Sequence, residues 1–258
     1  MRIGVNQSWR QNAVFLAGLF LAQGATAGEC RSDLVDDVQY VVCSADPKTD
    51  TIRLFWKDTA QNPYRRFSEL AGATAAKGKS LVFAMNAGMY SDDFTPVGLY
   101  VEEGRELVPA NTKTLQGDPG SVPNFYKKPN GIFFIGDGAA GILPTEAFLD
   151  KKPKVSFATQ SGPMLVIDGK ISPIFIRQSS DRTYRSGVGV CDDGMVRFAI
   201  SNDRVNFYDF ASFFKDRLKC ANALFLDGGR GTGLYEPSIN REDQSGHGGY
   251  GPIIGLIK

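Results

Sequence analysis

Short apolar runs punctuated by Gly, Asp, Asn and Pro recur along this chain, whereas apolar positions at helical spacing are confined to three segments. Val38-Gln39-Tyr40-Val41-Val42-Cys43 and Thr51-Ile52-Arg53-Leu54-Phe55-Trp56 flank the polar, Pro-containing turn 45–50 and predict an opening β-hairpin. Phe67, Leu70, Ala71 and Thr74 then predict a short amphipathic helix that Gly78 stops. A strand at 81–86 follows. Further hairpins are predicted at 97–101 with 105–108 around Glu102-Glu103-Gly104, at 131–135 with 140–143 around Asp137-Gly138, and at 186–190 with 196–201 around Asp192-Asp193-Gly194. Strands at 155–160 and 164–167 precede the tight turn Asp168-Gly169-Lys170. Thr145 is the expected cap of a helix running to Lys151, and Asn206 caps the clearest one, whose apolar face is Phe207, Phe210, Ala211, Phe214 and Leu218. Residues 111–126 show little periodicity and read as a mobile flap. Many hairpins with three helices predict one α+β domain built on a largely antiparallel sheet.

Three of the apolar runs end in a polar residue beside glycine. They are Ala223-Leu224-Phe225-Leu226-Asp227-Gly228-Gly229, Leu81-Val82-Phe83-Ala84-Met85-Asn86-Ala87-Gly88 and Val155-Ser156-Phe157-Ala158-Thr159-Gln160-Ser161-Gly162-Pro163. Buried strands that each deliver a polar group to a glycine-lined rim are expected to converge on one pocket. Asp227 is its strongest acid-base candidate, because an apolar approach promises partial burial and a tuned proton affinity.

Residues 1–27 carry Arg2 and Arg10, the apolar stretch 13–22 and the small-residue site Ala25-Thr26-Ala27, the pattern of a secretory signal peptide. This leaves residues 28–258 as the expected domain, exported and most simply periplasmic. Lys and Arg number 29 against 28 Asp and Glu, which gives no electrostatic case for nucleic acid or an anionic membrane surface. Cys30, Cys43, Cys191 and Cys220 allow three pairings; Cys30–Cys43 and Cys191–Cys220 are favoured because each closes a short loop.

His247 is the only histidine and sits in a glycine-rich segment, so a His-rich zinc site and a Ser-His-Asp hydrolase lose their support. No phosphate-binding glycine loop follows a strand, and Asp92-Asp93 reads as a solvated turn; neither cofactor nor metal is expected. Arg185, placed before a run of small residues, is suited to bidentate contact with a phosphate or carboxylate. Ser161 offers a hydroxyl and Asn86 an amide for sugar hydroxyls. Tyr90, Phe125, Tyr126 and Tyr235 lie near the expected rim as aromatic surfaces for a glycan.

Phe83-Ala84-Met85-Asn86-Ala87-Gly88-Met89-Tyr90, Lys128-Pro129-Asn130-Gly131, Gln160-Ser161-Gly162-Pro163, Arg185-Ser186-Gly187-Val188-Gly189 and Leu226-Asp227-Gly228-Gly229 resemble, in order and spacing, the phosphodiester glycosidase family. That family includes the catalytic domain of the mammalian uncovering enzyme. The resemblance spans residues 35–258. It implies a secreted α+β domain that removes a sugar, N-acetylglucosamine in the best-known member, from a sugar-1-phosphate diester; bacterial relatives are described as exported or exopolysaccharide-linked. It also implies Asp227 and Arg185 as catalytic residues, with Asn86, Gly88, Asn130, Ser161, Gly162, Gly228, Gly229 and Thr232 contacting substrate. Asp203 and Glu102 are the candidates for a second carboxylate. The family's Asp-Gly-Gly is commonly followed by a small hydroxyl run, whereas here Arg230-Gly231-Thr232-Gly233 follows, with Thr232 left to supply the hydroxyl. The expected partner is a sugar-phosphate or glycan, either cleaved at its glycosidic bond, cut at the P–O bond, or held without cleavage by a binding protein.

Overall fold

A computed structural model describes Met1, residues 28–118 and residues 120–258. The expected leader therefore lies outside the described residues apart from Met1. Three antiparallel sheets make up the domain. A seven-stranded sheet runs, edge to edge, through Cys30–Val35, Val38–Ala45, Val196–Ser201, Arg185–Cys191, Cys220–Gly228, Met164–Ile167 and Lys170–Ile171. A five-stranded sheet comprises Arg241–Glu242, Leu234–Glu236, Leu81–Asn86, Ile253–Ile257 and Thr51–Phe55, and another comprises Arg105–Val108, Tyr100–Glu102, Phe157–Ser161, Gly131–Gly136 and Ala139–Pro144. This is the predicted α+β class with largely antiparallel sheet.

The seven-stranded sheet is covered on both faces, which is why its central strands read as nearly unbroken apolar runs. Val41, Val188, Leu224 and Leu226 join Phe83, Met85, Phe133 and Phe157 from the other sheets in one core. On the reverse face, Tyr40, Ala223 and Phe225 pack with Phe210, Phe213 and Phe214. The helix Phe207–Ser212, capped by Asn206 through a 2.8 Å bond from the Asp209 N–H, continues as a widened turn over Phe213–Arg217. That turn sends adjacent Phe213 and Phe214 both into the core; Phe213 stacks on Tyr40 at 3.8 Å. Phe214 needs Gly187 and Gly189 beneath it, since a Cβ there would stand 3.1 Å and 2.8 Å from its ring.

The opening hairpin is overturned. Residues 45–50 do turn, closed by the Asp50 N–H on the Asp46 carbonyl at 2.8 Å, but the strands they join enter different sheets. Val38–Ala45 has Cys30–Val35 on one edge and Val196–Ser201 on the other, so no edge remains for Thr51–Phe55. The other hairpins form as expected, with 97–99 outside the strand Tyr100–Glu102. Thr145 begins the helix Thr145–Lys151 but does not cap it; its hydroxyl donates to Asn130 Oδ1 at 2.9 Å. Among the described residues, 111–118 and 120–123 carry no helix or strand, and Asn111 is held by the buried Gln160 side chain. Both favoured disulfides are present, each across an antiparallel strand pair.

The sheets meet where Leu81–Asn86, Phe157–Ser161 and Cys220–Gly228 end. Asn86, fully buried, donates through Nδ2 to Ser186 Oγ (2.9 Å) and accepts the Gly233 N–H on Oδ1 (3.1 Å). Ser186 Oγ in turn donates to the Asp227 carbonyl at 3.2 Å, and Ser161 Oγ donates to the Leu226 carbonyl at 2.9 Å. Asn86→Ala leaves the Gly233 N–H without its acceptor, and urea unfolding is expected to register a loss of about 1–3 kcal/mol. A loss below about 0.5 kcal/mol would show that this junction does not depend on the amide.

Candidate active site

Asp227 owes its position to an irregularity in the central strand. Gly187 pairs with Phe225 while Ser186 pairs with Asp227, so the register slips by one residue at Leu226. Such a bulge re-aims the side chains beyond it. The carboxyl emerges half-buried at the meeting point of the sheets. Its Oδ1 accepts the N–H of Gly228 at 2.7 Å, and its other oxygen fills the space beside Gly231, where any Cβ would collide with it. Burial pushes the carboxyl from 3.8 up to about 7, while the Gly228 bond pulls the other way. Tyr90 is close enough to sense this group: burial raises its phenol, the Ser245 hydroxyl lowers it, and the Asp227 charge raises it further. Tyr90 Oη donates to the Gly249 carbonyl at 2.7 Å, and Gly251 leaves room for its ring.

Beside the Asp227 turn lies a hollow of about 360 Å³, lined by Gly229, Thr232, Tyr184, Arg204, Arg230 and Gln244. Gly229 adopts a left-handed φ of 60° and donates its N–H to the Tyr184 carbonyl at 2.8 Å. Thr232 Oγ1 donates back to the Gly229 carbonyl at 2.9 Å. Arg230 is exposed and anchored, its Nη2 donating to the Gly246 carbonyl. Two arginines, Arg204 and Arg230, thus border this hollow above a small polar floor, a chemistry suited to an oxyanion.

Of the residues expected to act here, Asp227, Gly228, Gly229 and Thr232 come together at the turn, and the structure places the others away from it. Arg185 is 1% exposed and points to the opposite face of the sheet, its guanidinium 3.6 Å over the Phe207 ring. Nε donates to the Val205 carbonyl at 2.9 Å and Nη2 to the Asp181 carbonyl at 3.2 Å; burial lowers its pKa to about 10, with Asp181 opposing. Asn86 and Ser161 are fully buried and spend their polar atoms on the sheet junction rather than on sugar hydroxyls. Asn130 is likewise buried, its Nδ2 on the Phe125 carbonyl and its Oδ1 accepting from Thr145 and Lys128. Gly88 and Gly162 are packing positions: a Cβ at Gly162 would stand 2.5 Å from that of Asn130, and Gly88, at φ 147°, lies against Thr159 and Gln160.

Neither carboxylate suggested as a second acid joins Asp227. Asp203 accepts the Gln39 N–H, and Glu102 lines a different cavity beside Trp56 and Phe157, where it accepts the Tyr100 hydroxyl at 2.8 Å. His247 is an exposed loop residue whose N–H bonds Ser245. Phe125 is core, Tyr235 packs toward Phe67, Tyr126 lines a separate cavity, and Tyr90 is the rim aromatic whose phenol senses the Asp227 charge. Sequence reasoning missed Gly231, Ser186 and Arg204 as contributors. The first had a readable signal, since a third glycine two residues after Asp-Gly-Gly marks a close approach.

The phosphodiester glycosidase family profile matches residues 79–254. The chain is 32% identical over 217 residues to the uncharacterized protein YigE of Escherichia coli K12, covering 83% of this chain and 82% of that one. In fold it is similar to the catalytic domain of zebrafish N-acetylglucosamine-1-phosphodiester alpha-N-acetylglucosaminidase, auto-inhibited by its pro-peptide, with a TM-score of 0.58, 16% identity, and coverage of 88% and 81%. A protein of Burkholderia pseudomallei K96243 described as exported matches with a TM-score of 0.51, 12% identity, and coverage of 85% and 74%. The motifs, the fold and these matches agree: the chain belongs to the phosphodiester glycosidase family.

Proposed function

We propose that this protein is an exported hydrolase that cleaves the anomeric C–O bond of a sugar-1-phosphate diester in envelope or exopolysaccharide glycans. The observation that carries this reading is the half-buried Asp227 carboxyl, raised to about 7 beside a hollow bordered by Arg204 and Arg230. Membership of the family and the likeness in fold to the zebrafish glycosidase support the reaction class. The expected leader, the two disulfides and the likeness to a protein described as exported support export, and we infer the periplasm as its compartment.

In this mechanism ionised Asp227 takes a proton from a water molecule as the water oxygen bonds to the anomeric carbon. The C–O bond to phosphate breaks, its electron pair leaves with the phosphate, and the products are a free sugar and a phosphate monoester. Phosphate departs as a stable anion, so the leaving group needs charge stabilisation rather than a proton, and a single carboxylate suffices. Arg230 and Arg204 supply that stabilisation. A proton affinity near the working pH suits a general base, which inverts the anomeric centre, better than a nucleophile, which gains from a low one.

Because the base must be ionised, kcat/KM for a sugar-1-phosphate diester is expected to rise with pH through about 7. Asp227→Asn loses that limb together with about 10²–10⁴-fold of the rate; a folded variant with near-wild-type turnover excludes the assignment, and saturable binding with no release by the wild type favours a binding protein. Hydrolysis in ¹⁸O-water should place the label in the sugar, with inverted anomeric configuration by NMR. Label in the phosphate would instead indicate P–O cleavage.

The same shift affects stability. Since the folded state holds a proton that the unfolded carboxyl releases near 3.8, the native state is penalised progressively as pH rises from about 4 to about 7. Asp227→Asn removes this penalty, so its Tm should exceed that of the wild type at about pH 8, and the gap should close below about pH 4. Equal melting curves at both values would mean that the carboxyl is not desolvated.

A further inference from the structure

Thr183 and Tyr184 line the hollow beside the Asp227 turn, whereas Ser179 and Asp181, a few residues earlier, line a second cavity with different chemistry. This one, of about 440 Å³, lies between Val122, Tyr126, Ile174, Phe175, Ile176 and Phe207. Ile174 and Ile176 are 42% and 73% exposed, and Phe175 stacks on Phe207 at 5.0 Å, so the wall is a continuous apolar surface open to solvent. Lys127, Lys128 and Asp181 stand along the same cavity.

The charges there do not balance. Arg185 lies behind Phe207, and the Lys127 ammonium is 5.7 Å from the centroid of the same ring. Burial lowers the Lys127 pKa, Asp181 opposes this, and the positive charge of Arg185 lowers it further, so the two cations feel one another. The carboxylate paired with Arg185 is that of Asp181, 3.7 Å away and with its side chain 70% exposed, hence well screened by water. Lys128 is committed to Glu146 at 3.1 Å, whereas Lys127 bonds only the neutral Asn124 Oδ1 at 2.9 Å among the described residues. A half-buried ammonium near a buried guanidinium, with the Asp181 carboxylate they share turned to solvent, is an ion arrangement that a further, bound anion would complete.

We propose that this cavity is a binding site for a single-chain amphiphile with an anionic head, its tail lying along Ile174, Ile176 and Phe207 and its phosphate or carboxylate against Lys127. The site is independent of the reaction at Asp227. It gives Arg185 a long-range electrostatic role behind the aromatic wall, in place of contact with the scissile phosphate.

The test is calorimetric titration of the full chain with dodecyl phosphate below its micelle concentration, alongside dodecyl maltoside and inorganic phosphate. Saturable binding of dodecyl phosphate is expected, at least about tenfold tighter than either partial probe. Lys127→Ala and Ile176→Asp, both at solvent-accessible positions, should each weaken it about tenfold or more without changing turnover at Asp227. Arg230→Ala should leave it unaltered. Equal affinity for dodecyl maltoside, wild-type affinity in both cavity variants, loss of binding in Arg230→Ala, or no binding at all would each overturn the proposal. Laurate in place of dodecyl phosphate then distinguishes a carboxylate from a phosphate head.

Discussion

Backbone groups buried where several sheets end have no ladder to pair with, and each must find another partner. Here the partners are side chains at the strand ends, two of them, Ser161 and Thr159, reaching across from a neighbouring sheet. Ser161 seals the Leu226 carbonyl, Ser186 the Asp227 carbonyl, Asn86 the Gly233 N–H, and Thr159 the Ala87 carbonyl at 2.8 Å. These are the polar residues that interrupt otherwise apolar strand ends, and their placement holds three sheets in one register. An orphaned group costs about 1–3 kcal/mol, a large fraction of the 5–15 kcal/mol that typically separates a folded domain from its unfolded chain.

The same constraint sets the chemistry of Asp227. Because the surrounding amides and hydroxyls are spent on the junction, the carboxyl is left with the Gly228 N–H, too little to offset its loss of water. Gly231 brings backbone where a larger residue would push the carboxyl outward. Had Arg185 stood beside it, an ion pair would have driven the proton affinity down and left a permanently ionised group. The register slip at Leu226 and the burial of Arg185 on the far face therefore act together: one presents the carboxyl, and the other keeps the opposite charge away from it.

The fold was legible where local chemistry decides it. Apolar runs of strand length, Asp-Gly turns and cysteines closing short loops gave most hairpins and both disulfides, because those features depend on residues close in sequence. Thr51–Phe55 was misplaced because edge occupancy is a tertiary fact: nothing in Val38–Ala45 tells that Val196–Ser201 already fills its free edge. At the site, the half-buried strand-end position of Asp227 was legible from the apolar run before it, whereas the burial and bonding of Asn86, Ser161 and Asn130 were not, because a motif marks a residue as necessary without saying what it touches. The hydrogen bonds of Asn86 and Ser161 run to residues 65 to 147 positions away, beyond the reach of any local pattern, and Asn130 adds Thr145, 15 positions on, to its neighbours Phe125 and Lys128.

Arg185 and Ser186 condense the matter. Successive strand residues point to opposite faces, so a single step along the chain places a hydroxyl beneath Asp227 and a guanidinium behind Phe207. Burying that guanidinium is tolerable because two carbonyls accept from it and two aromatic faces, Phe207 at 3.6 Å and Phe225 at 5.6 Å, lie under its charge. Carbonyl dipoles and ring quadrupoles do not cancel a full positive charge, however, and the nearest carboxylate is turned to solvent. Lys127, 5.7 Å from the centroid of the Phe207 ring, loses proton affinity chiefly through its own burial, with Asp181 opposing and Arg185 adding a smaller lowering. A residue that reads in sequence as part of the Asp227 site thus exerts its charge on the other side of the sheet, and the separation is what permits Asp227 to hold a proton near neutrality.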